Sequence, residues 1–174
     1  MSEPVTIDRL PLLLLIALWV TTLGILVSPE PEAGFSIAHA RVPGMEQGDT
    51  GLQRHADTLT WSWLFGVTMI AVVGVLMIWG SQSRWTDRLG RLLLAATLVL
   101  EVIFTAMCWS YRQQLSDPTA TTFFAGFPPG TAWQLYGMGL APFLFVGLYV
   151  FFFRQRIVTE ATASGFDRLT DRPG

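Results

Sequence analysis

Four side chains with polar or reactive groups, Thr97, Glu101, Thr105 and Cys108, fall at spacings of four, four and three, which places them on one face of a helix. The stretch that carries them, GRLLLAATLVLEVIFTAMCWSY from Gly90 to Tyr111, is otherwise apolar, and Glu101 stands midway along it. An acid at the centre of a bilayer costs about 2.5 to 3.5 kcal/mol even on insertion scales, so it is protonated, paired or turned toward a polar interior. Three roles are open to Glu101: a neutral carboxyl joining two helices, a station for an ion or proton, or a contact to a partner subunit. The first is the leading expectation. Pro142 cannot donate to the carbonyl of Met138, which predicts a kink in its helix, and Gly137, Gly139 and Ala141 beside it allow close backbone approach. If the helices carrying Glu101 and Pro142 are antiparallel neighbours, the carboxyl can donate to that freed oxygen.

His39 and His55 lie sixteen positions apart with Glu46, Asp49 and Asp57 around them. The spacing matches no zinc or copper ligand pattern and there is no third histidine, so no metal is expected. No histidine occurs in any of the long apolar runs, which excludes haem held between helices by two of them. There is no Gly-x-Ser-x-Gly elbow, no phosphate-binding Gly-x-x-x-x-Gly-Lys loop and no His-Glu-x-x-His motif. All eleven cations are arginine, so amine nucleophiles and Schiff bases are absent, and one cysteine excludes dithiol chemistry. The expectation is a protein that is not an enzyme and holds no cofactor of its own.

The elements that position these residues follow from composition. Of 174 residues, 51% are hydrophobic and 14% charged, and the mean hydropathy is +0.45. Soluble domains carry about a quarter charged residues. A net charge of −2 also argues against nucleic acid, which selects a basic surface. Four apolar runs predict membrane-spanning helices at about 10–28, 59–80, 90–111 and 131–153. Trp61 and Trp63 at one end of the second run, and Trp79 at the other, suit the two bilayer interfaces. The first run is expected to be retained as a helix, since its apolar core is long and its preceding region is not basic. Arg9, Arg84, Arg88, Arg91, Arg154, Arg156, Arg168 and Arg172 fall on one side of this layout and Arg41, Arg54 and Arg112 on the other. The bias predicts that both termini are cytoplasmic.

The predicted fold is therefore all-α, a single polytopic membrane domain over 1–174. Its outer loops are 29–58 and 112–130, and its cytoplasmic tail is 155–174. The second outer loop carries Phe123, Phe124 and Phe127 just before Trp133. Exposed aromatics beside a membrane dip into the headgroup layer or pack on a partner.

The segment FFAGFPPGTAWQLYGMGLAPFLFVGLYVFFFRQRI, Phe123 to Ile157, is similar to small uncharacterised bacterial inner-membrane proteins that occur beside sodium/solute symporters. The similarity rests on the Gly126-Phe-Pro-Pro129 turn, Thr131-Ala-Trp133, Tyr136-Gly137 and the aromatic run before Arg154. It implies an accessory subunit of a transporter in the bacterial inner membrane. The small four-helix subunits of TRAP transporters share size and span number, but their acidic Trp-x-Glu-Glu signature is missing. The expected partners are the lipid bilayer and a larger integral membrane protein. That protein is met through Phe123, Phe124, Phe127 and Trp133 and through the small-residue face of the fourth helix. Alternatives are a small subunit of a respiratory or photosynthetic complex near a quinone or pigment, and an oligomeric ion or proton transporter built around Glu101.

Overall fold

A computed structural model describes residues 9–29, 36–47, 55, 57–81, 85–116 and 122–156. It is helical, with four helices long and apolar enough to cross a membrane. The tail beyond 156 and the parts of the loops at 30–35, 48–54 and 117–121 lie outside the described residues. The first span, α1, is Leu10–Val27. Pro11 sits in its first turn, where a missing N–H leaves no bond unmade. The second, α2, is Leu59–Gly80. The third, α3, is Arg88–Ser116, longer at both ends than its apolar run. Its 29 residues make a helix of roughly 43 Å, beyond the hydrocarbon thickness. The added turns carry Arg88, Arg112 and Gln113, good helix formers that extend the hydrogen-bonded ladder outside the apolar stretch.

Between α1 and α2 lies a small antiparallel hairpin, β1 Ile37–Ala38 and β2 Glu46–Gln47, with Ile37 opposite Gln47 and Ala38 opposite Glu46. The alternation that announces strands is absent over so short a pairing, and the sequence reading contains no strand. Four threonine hydroxyls within the spans are satisfied inside their own helices. Thr21 and Thr22 donate to the Leu18 carbonyl, Thr68 to Leu64 and Thr97 to Leu93. That is how a polar side chain is accommodated where no water is available.

The fourth span, Pro129–Phe152, departs from the single helix, kinked near Pro142, expected over 131–153. One α-helical turn, α4 Pro129–Ala132, passes into a π-helical segment, Trp133–Met138, and a regular helix resumes as α5, Pro142–Arg156. Pro142 is the cause. It cannot donate four residues back, and its ring disfavours helical geometry in the residue before it, so the ladder widens ahead of it and restarts with proline in its first turn. The kink placed at Pro142 by the sequence is thus spread over Trp133 to Ala141. Before this span the chain reverses in a two-residue turn. Phe124 and Phe127 exchange backbone hydrogen bonds of 2.8 and 3.0 Å, and Ala125 and Gly126 have φ of 48° and 85°, as a type I′ turn requires.

The spans pack mainly in sequence order: α1 on α2, α2 on α3, and α3 on the fourth. They form a row with α3 inside it and α1 at an edge. Only 6% of the apolar stretch of α1 is buried, against 22% for α2 and α3. The core lies along α3, with α2 on one side and the fourth span on the other, around Ile78, Leu89, Leu93, Ala96, Ala141 and Phe145. Small residues bring the helices together. A Cβ on Gly24 would lie 2.5 Å from the Trp61 ring, one on Gly74 would lie 2.6 Å from Thr97 Cγ2, and one on Gly137 would lie 2.5 Å from Ile103 Cγ2.

Candidate functional site

The polar stripe of α3 runs along its α2-facing side, but its members differ in surroundings. Thr97 is buried against Gly74 and donates within α3 to the Leu93 carbonyl at 2.9 Å. Thr105 accepts a hydrogen bond of 3.2 Å from the indole N–H of Trp63 on α2. Cys108 is half-buried and Glu101 is half-buried. Glu101 Oε2 is wholly covered and has no hydrogen-bond partner. Buried polar oxygens are almost always matched, so an orphan on a carboxyl asks for an explanation.

The expected bond from Glu101 to the freed Met138 carbonyl is not made by this oxygen. Helix geometry gives the reason. The fourth span meets α3 through Ile103, which packs over Gly137, and through Tyr111, which lies beside Gly130. Thr97 and Phe104 meet α2 at Gly74 and Gly66. At 100° per residue, Glu101 lies beyond Thr97 on the flank away from Ile103. Gly137 and Ala141 are used inside the chain, Ala141 being in the core. Gly139 is exposed and Pro142 begins α5. The close-packing face of the fourth span therefore joins α3 rather than standing free for a partner.

On that flank α2 and α3 diverge into a groove of about 690 Å³ lined by Trp63, Val67, Leu98, Glu101, Val102, Thr105, Ala106, Trp109 and Ser110. A second recess of about 330 Å³ shares Trp63, Thr105 and Trp109 and continues toward Leu59, Cys108 and Arg112. Trp61 and Trp63, two residues apart, serve opposite neighbours, since Trp61 covers Gly24 of α1 while Trp63 bonds across to α3. The sequence marks both only as interface tryptophans. The groove residues Val67, Leu98, Val102, Trp109, Ser110 and Arg112 carried no signal of their own, because which flank of a helix opens depends on the neighbours' side chains.

A third recess, of about 500 Å³, lies at the start of the fourth span, lined by Phe124, Pro129, Ala132, Trp133, Tyr136 and Gly137. Phe124 and Phe127 meet the Tyr136 ring edge-on at centroid distances of 6.3 and 6.4 Å. Phe123 and Phe124 remain largely exposed at 71% and 66%. Phe127 is less exposed, at 38%, so Phe123 and Phe124 are the more open members of the expected contact set.

The two histidines have local roles. His39 Nδ1 accepts from the Arg41 backbone N–H at 3.1 Å, and the His55 ring lies 6.2 Å from that of Tyr111. Among the described residues no group of three or more His, Cys, Asp or Glu side chains is placed to hold a metal ion. No protein-family model, curated protein or solved structure matches the chain.

Proposed function

We propose that this chain is a non-catalytic small subunit of a bacterial inner-membrane complex, docked beside a larger integral membrane protein of the transporter class. The observation that supports this reading is the single row of spans, each packed chiefly on its sequence neighbours. A path for a solute needs helices around it, and a row has two open faces instead. The arginine bias puts both termini in the cytoplasm and the Phe123 to Phe127 turn on the outer side. There the turn offers Phe123 and Phe124 on a backbone held by two hydrogen bonds, next to Trp133. Rigid exposed aromatics suit an interface because they lose little freedom on binding. With Gly137 and Ala141 already packed on α3, the outer turn is the contact surface this reading assigns.

The test is a photo-cross-linking amino acid placed at Phe123 in the native host, with the same group at Leu13 of α1 as control. One larger integral membrane protein captured from Phe123 and not from Leu13, in a colourless purified complex, is the expected result. Capture of redox subunits, or of the chain by itself alone, would overturn it.

A further inference from the structure

We infer that the groove between α2 and α3 binds a small amphiphile of the quinone class, a flat ring bearing carbonyl oxygens with an alkyl or isoprenoid tail. This goes beyond the subunit reading and does not depend on it. The groove's volume of about 690 Å³ lies within the range of roughly 300 to 1,000 Å³ usual for ligand sites, and its lining is apolar and aromatic with a few polar groups. Trp63 stands on one wall and Trp109 on the other, which supplies indole surface to a planar ring. The Trp63 ring is already held by its bond to Thr105, so a ligand does not have to immobilise it.

The polar demand of the groove selects among occupants. Glu101 lines the groove, with Oε2 covered and unmatched. Its terminal torsion is broad and two-fold, so the acid can leave its carbonyl oxygen in the covered place and turn its O–H to the groove as a donor. A ring carbonyl accepts that hydrogen bond. A plain acyl chain fills the same space but offers no acceptor, so the carboxyl gains no hydrogen bond from it. A transmembrane helix is about 10 Å across and has its backbone carbonyls engaged. It would rest on the rim at Leu98 and Val102, which are 56% and 69% exposed, and needs a long polar side chain to reach the oxygen. The same rim gives a tail an apolar exit into the bilayer, while the hydroxyls of Thr105 and Ser110 line the walls beside the ring.

The experiment titrates full-length protein in lipid nanodiscs with decylubiquinone, followed by quenching of tryptophan fluorescence. Decylbenzene, with the same tail and no carbonyl, is the competitor. Saturable quenching that decylbenzene does not displace is expected. Glu101→Leu should weaken binding tenfold or more, whereas Glu101→Gln, whose amide N–H still donates, should stay within about threefold, given that a tenfold loss is about 1.4 kcal/mol. Val102→Phe fills the groove from an exposed position without disturbing the packed core or adding a tryptophan to the signal, and should abolish binding even if Glu101→Leu does not fold. Quenching that never saturates, that is equal in Val102→Phe and wild type, or that decylbenzene displaces would overturn the assignment. So would a cross-linker at Val102 that captures another protein's helix with a yield decylubiquinone does not lower.

Discussion

The two halves of the α2 and α3 contact are built from the same two helices and behave differently. Toward Gly80 and Arg88 the seam is closed: Gly74 receives Thr97, and Ile78 and Leu93 are 1% and 2% exposed. Toward Leu59 and Arg112 it is propped open. Gly66 receives the ring of Phe104, Trp63 reaches across to Thr105, and the groove around Glu101 opens beside them. Between helices in lipid there is no hydrophobic driving force, so close van der Waals approach supplies the attraction. A glycine facing a compact, β-branched threonine permits that approach. A glycine facing a large ring keeps the backbones apart and leaves space at the ring's edge. The closed half supplies most of the cohesion and leaves the open half free to carry an unmatched carboxyl.

The largest expected effect is at the closed half. In Gly74→Ala the new Cβ would stand 2.6 Å from Thr97 Cγ2, and Thr97 is buried, stiff at χ1 and bonded to the Leu93 carbonyl. Overpacking of this kind costs up to about 3 kcal/mol, read as a shift in equilibrium unfolding in mixed micelles. Gly66→Ala tests the other half. Its Cβ would meet the Phe104 ring, a half-buried side chain packed at the margin of the core, and overpacking there should cost about 1 kcal/mol. Equal losses at the two glycines would mean that both halves are equally tight and would break the comparison.

How much of this is legible in the sequence depends on what kind of information each feature carries. The spans, and the sharing of one helical face by Thr97, Glu101, Thr105 and Cys108, follow from composition and helical period. The turn at Gly126 and Pro128 is announced by residue type, although the positive φ of Ala125 is not, since alanine gives no hint of it. The π-helical segment is readable only as trouble near Pro142, because proline removes a donor without fixing whether the helix kinks, breaks or widens. The groove is not legible at all. Its walls come from two helices whose relative rotation is set by which glycine meets which side chain, and that is tertiary information.

The hydrogen bond from Trp63 to Thr105 is the one polar link across the open half among the described residues. Trp63→Phe keeps an aromatic ring and removes the donor. Interhelical hydrogen bonds in membranes average about 0.6 kcal/mol, because separated helices also find partners for their polar groups. A double-mutant cycle with Thr105→Val should therefore return a coupling of about that size. A coupling above about 2 kcal/mol would make this bond a main support of the fold and would transfer the cohesion to the open half.

The smallest effect is expected at Glu101, and its sign is the sharpest test. Had the carboxyl been a link between helices, replacing it with leucine would cost about 1 to 2 kcal/mol. In this structure Oε2 has no partner to lose. The cost of placing an acid at mid-membrane does not enter either, because α3 remains inserted whether or not it is packed on α2, and the penalty is common to both states. What remains is the covering of an oxygen that the separated helix can turn toward water or headgroups. Glu101→Leu removes that small penalty and fills part of the groove, so stability should be unchanged or rise by about 0.5 kcal/mol, while Thr97→Leu in the closed half should lower it by about 1 to 3 kcal/mol. Unfolding of the two variants side by side, in the absence of any added amphiphile, decides the matter. A clear loss in Glu101→Leu would mean that the carboxyl holds the helices together and that the open half contributes to cohesion.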